Sequence, residues 1–404
     1  MNDHPVLGQV ALGYCPLVDR PRTVTGLRLT VFPERPDASP DAAALLAALE
    51  EVWPRPEAGQ KAVPRVSLNL AGETLLAQAM AARPGPQMMV EVPAFMAGDG
   101  GQLASLAALR EAGSVLVIKG RPVNPLTPEV LSMFTHSIVD MAEDRRAGAP
   151  APAGVTRNIT CIQTGARTSA DYELAFTRGA VAVSGWPWED APPKPSGRSS
   201  VPADITTVMD LINGVDREEP VAKLEGVLRR DPTLAFRLMR YLNSPAFGLS
   251  VEINSFSHAL MMLGYQRLKR WLALLLASSA KGANAKPVMY AAVRRGLLME
   301  ELGRQQDDPE VRGEMFICGV FSLLDRLLQQ PFKELLPSVP VPERVAQALR
   351  GDGGPYTPFL ELVEAIEQSS LFDIRERSEA LFLSPTVVNR AVLAALHSAS
   401  QLDG

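Results

Sequence analysis

Over the first 186 residues, short apolar runs alternate with longer segments in which apolar residues recur at helical spacing. The short runs, rich in Val, Leu and Ile, are typical of strands, and the segments between them are typical of amphipathic helices. The predicted strands cover residues 10–12, 24–31, 66–70, 88–92, 115–118, 159–162 and 180–183. The predicted helices cover residues 41–50, 72–82, 102–112 and 169–178. This repeated order predicts an α/β fold with a parallel sheet covered by helices, and a TIM-like barrel as the strand count approaches eight.

Residues 187–202 interrupt this pattern with a stretch rich in Pro, Gly and Ser, a composition that favours an extended connector. Beyond it the pattern is almost wholly helical, with predicted helices at 204–212, 221–229, 234–243, 266–279, 288–302, 316–329, 343–349 and 359–368. We therefore expect a barrel domain at 1–186, a linker at 187–202 and an all-α domain at 203–404. Trp186 and Trp188 lie where the linker begins, and they are expected either to pack the linker onto the barrel or to face a partner, with packing favoured.

Length, charge and cysteine content narrow the class of protein. A chain of 404 residues with 46% hydrophobic residues accommodates two domains with buried cores. Its formal net charge of −5 argues against nonspecific nucleic-acid binding, which needs concentrated Lys and Arg. Cys15, Cys161 and Cys318 form no CxxC pair, so neither a zinc site nor a disulfide framework is expected. The N-terminal residues lack the features of a signal peptide, and the most apolar stretch, 272–280, is too short to span a bilayer. We expect a cytoplasmic protein that does not bind membranes.

Residues 231–264 carry the most informative motif of the chain. Asp231 followed by Pro232 is a helix-start signal, and apolar residues at helical spacing follow it. The sequence DPTLAFRLMRYLNSPAFGLSVEINSFSHALMMLG resembles the HDOD domain, a metal-free relative of the HD phosphohydrolases that is found in bacterial signalling proteins. The resemblance implies an all-α, HD-like domain that binds partners and catalyses no reaction.

The turn within this motif is a candidate interaction site. Asn243, Ser244, Pro245 and Phe247 join two apolar helices through a proline turn, which predicts a rigid corner. A rigid corner suits recognition because little ordering entropy is lost on binding. The alternative is that Pro245 and Phe247 only lock the helix pair.

A second position also resembles the HD family. In the helix predicted at 316–329, Asp325 matches the Asp of the family's His-Asp pair, while Leu324 replaces the His. Apolar residues recur so densely in this helix that it is expected to be buried. We therefore interpret Asp325 as a vestigial position that acts as a packing or capping partner, with no metal bound.

The N-terminal segment, residues 6–186, resembles the EAL domain, a TIM-like barrel that hydrolyses cyclic di-GMP. Asn69 in VSLNLAG matches the family's metal-ligating Asn, and Glu91 in MMVEVPAF matches the first Glu of its ExxE motif. Ala94 replaces the second Glu of that motif, and Arg28 stands where the Glu of the family's signature strand aligns.

Other positions of the resemblance have also lost their carboxylates. Residues 118–120, where the family carries paired aspartates, and residues 163–167, where it carries glutamates, contain none. Asp140 is what remains of the Lys-x-Asp motif, and Ser184-Gly185 replaces the family's Gln-Gly. The resemblance is therefore to a degenerate EAL domain followed by an HDOD domain.

Hydrolysis of a phosphodiester in this family uses two cations, and hard cations need several oxygen ligands held together. Two vestigial positions, Asn69 and Glu91, cannot hold such a pair, and Arg28 would repel a cation. We predict no catalytic residues, no metal and no cofactor.

The favoured function is a non-enzymatic signalling scaffold linked to cyclic di-GMP, with other signalling proteins as partners. The first alternative is a sensor that binds cyclic di-GMP or another nucleotide at the barrel mouth without hydrolysing it. A weak metal-dependent phosphodiesterase is the remaining alternative, and the ligands it needs are missing.

Overall fold

The computed structural model describes residues 4–35, 39–55, 66–122, 124–144, 159–188, 203–228, 255–278, 284–306, 308–337, 339 and 341–402. Eight strands in the N-terminal region close into a barrel in sequence order. They are β1 (Val10–Asp19), β2 (Val24–Pro33), β3 (Val66–Leu70), β4 (Met88–Pro93), β5 (Val115–Lys119), β6 (His136–Asp140), β7 (Thr160–Ala166) and β8 (Ala180–Gly185). β1 pairs antiparallel with both β2 and β8, and the remaining neighbours pair in parallel. The predicted TIM-like barrel is confirmed.

The barrel interior and its outer surface are filled by alternate residues of the same strands, since successive side chains of a strand point to opposite faces. One apolar cluster comes from six different strands, a distribution that places it inside the barrel; its members are Leu17, Met89, Val117, Ile138, Ile162 and Ala182. On the outside, Tyr172 and Phe176 of a covering helix pack against Val18 and Val183.

Helices follow most of the strands, and some of them begin at a residue whose side chain caps the first turn. They are α1 (Ala42–Val52), α2 (Glu73–Ala82), α3 (Ala94–Ala97), α4 (Leu103–Glu111), α5 (Pro128–Ser132) and α6 (Ser169–Thr177). The Asp41 side chain accepts hydrogen bonds from the first turn of α1, and Thr168 and Asp171 form a capping box at the start of α6.

The described residues of the C-terminal half are mostly helical, as predicted. The helix predicted at 234–243 and most of the linker predicted at 187–202 lie outside the described residues. Its helices are α7 (Ala203–Asp216), α8 (Val221–Leu228), α9 (Phe256–Ser278), α10 (Ala285–Leu302), α11 (Pro309–Phe321), α12 (Leu324–Leu328), α13 (Phe332–Leu335), α14 (Glu343–Arg350), α15 (Thr357–Glu367), α16 (Leu371–Ala380) and α17 (Pro385–Leu402). The single helix predicted at 316–329 is wrong, because the chain forms α11 and α12 with a break at Ser322 and Leu323. Within α9, Gly264 has a φ of 72°, so the helix is interrupted there.

The chain divides into two compact units, and their boundaries differ from the prediction. One unit comprises residues 1–190 together with 364–393, and the other comprises 191–363 together with 394–404. The helical domain predicted at 203–404 is therefore not one unit, because residues 364–393 return to the barrel. Sequence periodicity does not reveal such a return, since it depends on contacts between residues far apart in the chain.

Trp186 packs as predicted. It is 8% exposed, and its ring lies edge-on to Tyr14 with the centroids 6.1 Å apart. Asn243, Ser244, Pro245 and Phe247 lie outside the described residues. In the part of the chain that is described, no single helix has both the length and the apolar character to cross a bilayer, although one bent pair, 371–380 with 385–401, meets both requirements jointly.

Candidate functional site

The carboxyl ends of the parallel strands form a polar mouth above the apolar interior of the barrel. Two residues beyond each apolar interior residue, the chain returns to the same face with a polar one. Met89 is thus followed by Glu91, Val117 by Lys119, Ile138 by Asp140, Ile162 by Thr164 and Ala182 by Ser184. β1 runs in the opposite direction, so its mouth residue, Cys15, precedes the interior residue Leu17.

An ion pair lies at the centre of this mouth. The Arg28 guanidinium donates from Nε to Oε1 of Glu91 over 2.8 Å and from Nη2 to Oε2 over 2.7 Å. Ser67 Oγ donates to the same Oε1 over 2.9 Å. The Glu91 side chain is fully buried and that of Arg28 is 16% exposed. Burial alone lowers the pKa of Arg28, but the charge and hydrogen bonds of Glu91 outweigh it and raise that pKa above its ordinary value.

A second cation occupies the neighbouring position. Lys119 Nζ donates to Asn69 Oδ1 over 2.7 Å, and Asn69 Nδ2 donates to Thr30 Oγ1 over 3.2 Å. Both ends of the Asn69 amide are therefore engaged within the protein. Burial lowers the pKa of Lys119, and the positive charge of Arg28 lowers it further.

The structure brings the two predicted EAL positions, Asn69 and Glu91, to one mouth and pairs each with a cation. The sequence analysis did not identify Lys119 as a residue of the mouth. It noted only that residues 118–120 contain no aspartate. The signal was available, since a lysine at the carboxyl end of a barrel strand points to the mouth.

Two further acidic residues near the mouth, Asp140 and Asp144, are bound by other groups. Asp140 accepts from Thr164 Oγ1 over 3.3 Å and from the Ala142 backbone N–H over 2.9 Å. Asp144 accepts from Arg121 over 2.7 Å and from Gln163 over 2.9 Å. Across the described ranges, no group of three or more His, Cys, Asp or Glu residues is placed to hold a metal ion.

Cys15 completes the β1 side of the mouth. Its Sγ lies 2.9 Å from Ser184 Oγ. Burial raises the pKa of the thiol, although the nearby charge of Arg28 and the hydrogen bond with Ser184 oppose that shift. The thiol is therefore held in its neutral, poorly nucleophilic form at neutral pH.

Asp325, the predicted vestigial HD position, lies in the helical unit on the first turn of α12. Its Oδ1 accepts from the Arg326 backbone N–H over 2.8 Å, and its Oδ2 lies 3.3 Å from Arg326 Nε. Burial raises the pKa of this carboxyl. These contacts agree with a packing role at a helix start, and the assignment as a vestigial ligand position stays a prediction.

Comparison with known proteins assigns one part of the chain to a domain family. Residues 200–330 match the family model of the HDOD domain, which confirms that part of the sequence prediction. An uncharacterized protein, YuxH, of Bacillus subtilis is 28% identical over 53% of this chain and 53% of its own length. The cyclic di-GMP phosphodiesterase CdgJ of Vibrio cholerae is 28% identical over 38% of this chain and 35% of its own. The chain therefore spans about half or less of the length of these curated relatives.

Among solved structures, the calcium and cyclic di-GMP complex of Klebsiella pneumoniae BlrP1 is 18% identical over 46% of this chain and 56% of its own, with a TM-score of 0.32.

Proposed function

We propose that this protein is a non-enzymatic component of cyclic di-GMP signalling that acts by binding other signalling proteins. The observation that carries the proposal is the bidentate ion pair between Arg28 and Glu91 in the barrel mouth. The similarity to a relative named as a cyclic di-GMP phosphodiesterase supports the link to that nucleotide. The HDOD match supports a role in signalling.

The chemistry of the mouth opposes metal-dependent hydrolysis. A two-metal mechanism needs carboxylates that are free to neutralise divalent cations. The Glu91 carboxylate is paired with the Arg28 guanidinium, and the Asn69 carbonyl oxygen accepts a hydrogen bond from Lys119. A metal ion entering here would have to displace two protein cations, and it would leave Arg28 without its counter-ion and Lys119 without its hydrogen-bond acceptor. The two cations therefore take the places that divalent ions need.

A second candidate function, a sensor that binds a nucleotide without hydrolysing it, is favoured by one observation. Lys119, the last residue of β5, is half-buried at the mouth and near Arg28. Such cations attract phosphate groups, since a phosphodiester needs positive charge and hydrogen-bond donors. Lys119 would be the residue on which that binding depends.

Incubation of the purified full chain with cyclic di-GMP and excess Mg²⁺ or Mn²⁺, followed by chromatography of the nucleotides, tests the proposal. We expect no linear product above the buffer control, and calorimetry without added metal is expected to show no binding in the low-micromolar range. Turnover that Glu91→Gln abolishes would refute the proposal. Binding without turnover that Lys119→Ala abolishes would establish the sensor instead. Affinity capture from native lysate, with the full chain as bait, then identifies the partners.

A further inference from the structure

The start of β1 lies at the carboxyl mouth because this strand runs against its neighbours. Val10 pairs with Pro33, the last residue of β2. On the other side of β1, β8 pairs with Leu17, Val18 and Asp19, at the far end of the strand. The edge of β1 nearest the mouth is therefore left for another part of the chain to cover.

Asn389 of α17 covers this edge. The Leu12 backbone N–H donates to Asn389 Oδ1 over 3.0 Å. Asn389 Nδ2 donates to the carbonyl oxygens of Val10 over 2.6 Å and of Leu7 over 2.7 Å. Asn389 is 1% exposed. Buried backbone groups need partners, and here a single side-chain amide supplies them in place of a neighbouring strand.

Ser369, between α15 and α16, lies against the inner side of the same strand. Gly13 shares the interior face with Cys15 and pairs directly with Thr30, the residue that binds Asn69. A Cβ atom placed on Gly13 would lie 2.7 Å from Ser369 Cα and 2.5 Å from its Oγ. The backbone of Ser369 therefore fills space beside the polar mouth that any side chain at position 13 would need.

Two further contacts hold this segment at the ends of β8 and β2. Trp186, just after β8, donates from Nε1 to the Glu367 carbonyl oxygen over 2.9 Å. Arg375 Nε donates to Oε1 of Glu34, just after β2, over 3.1 Å. Residues 364–393, here called the cap segment, are thus attached at β1, β2 and β8, all at the carboxyl mouth.

We infer that the cap segment seals one side of the barrel mouth in cis and that the mouth opens when this segment is released. Gly13, against which Ser369 packs, pairs with Thr30, the residue that binds Asn69. A molecule bound to the cap segment in its released form would therefore be coupled to access at the mouth. Release of the cap segment changes access to the mouth whether the mouth hydrolyses, binds or rejects a nucleotide.

Labelling of Cys15 in the full chain with a bulky maleimide reports whether the mouth is open. Cys161 and Cys318 are buried elsewhere, and Cys15→Ser identifies the signal from Cys15. We expect slow labelling of the native protein and a rate about tenfold higher in Asn389→Ala, because three backbone groups lose their partner and the local opening becomes easier. Gly13→Ala, which pushes against Ser369, is expected to raise the rate as well. Gly100→Ala is the matched control, since a Cβ there meets nothing within 4 Å.

Equal labelling rates in the native protein, Asn389→Ala and Gly13→Ala would overturn the inference, as would native labelling as fast as in the urea-unfolded chain. Circular dichroism establishes that each variant is folded. If neither variant folds, native-state hydrogen exchange of the wild-type Leu12 amide decides. Exchange through an opening smaller than global unfolding supports a releasable cap, and exchange through global unfolding alone contradicts it.

Discussion

Arg28 and Glu91 face each other across the barrel mouth with two parallel N–H···O bonds of 2.8 and 2.7 Å, and the carboxylate is fully buried. An arginine that binds a carboxylate in this forked geometry fixes both side chains. By the resemblance of the sequence to EAL domains, we align Arg28 with a glutamate of their signature strand. On that alignment, a side chain that binds a cation is exchanged for one that is itself a cation.

Removal of one partner of this pair is expected to destabilise the barrel strongly. Arg28→Ala leaves the Glu91 charge buried without compensation, which costs about 3–5 kcal/mol in comparable pairs. Urea unfolding followed by tryptophan fluorescence measures the loss. The double variant Arg28→Ala/Glu91→Ala is the control, and it is expected to recover part of the stability. Equal losses in the single and double variants would show that the pair has no special role.

Lys119 makes the free energy of unfolding depend on pH, and the direction of its pKa shift fixes the sign of that dependence. Burial lowers its pKa in the folded chain from the ordinary value of 10.5. The unfolded chain therefore binds this proton more tightly, and the free energy of unfolding rises as the pH passes from the folded pKa towards the ordinary one. Lys119→Met is expected to remove this part of the rise. Unfolding curves of the wild type and of Lys119→Met at a series of alkaline pH values test this prediction. If the free energy of unfolding changes equally with pH in both proteins, Lys119 is not the source of the rise.

In the helical unit, α10 and α11 approach each other through glycine. A Cβ on Gly319 would lie 2.5 Å from the Arg295 carbonyl group, whereas one on Gly313 of the same helix meets nothing within 4 Å. Gly319→Ala is expected to cost about 1–3 kcal/mol through overpacking. Gly313→Ala is expected to gain up to about 1 kcal/mol through helix propensity. Thermal unfolding of the two variants compares them directly, and similar shifts would mean that the helices do not meet at Gly319.

The sequence predicted the barrel well where strands are apolar and poorly where they are not. β6 was not predicted as a strand, because its interior positions His136 and Asp140 are polar and its apolar run is Ile138 and Val139 alone. Asn69 and Glu91 lie near the carboxyl ends of β3 and β4, and their assignment as vestigial EAL positions stays a prediction. Their pairing with cations was not fully predictable, because the contact between Lys119 and Asn69 depends on the closure of the barrel.

The role of the C-terminal segment was beyond sequence reasoning for a different reason. Asn389 binds Leu12 across 377 positions of the chain, and nothing in the local pattern of α17 indicates a partner in β1. The helix itself is ordinary in composition. Asn389 binds there because the first residues of β1 have no pairing partner in β8. That part of β1 can be recognised only when the registers of β2 and β8 are known.

Arg28 and Lys119 are proposed to stand where divalent cations would bind, and the metal content of the purified chain tests this proposal. Elemental analysis of the purified full chain measures tightly bound metal. Calorimetric titration with Mn²⁺ in the presence of cyclic di-GMP measures metal that binds reversibly. We predict no stoichiometric metal and no saturable Mn²⁺ binding that depends on Glu91. One or more tightly held ions per chain, lost in Glu91→Gln, would show that Glu91 ligates a metal in spite of Arg28.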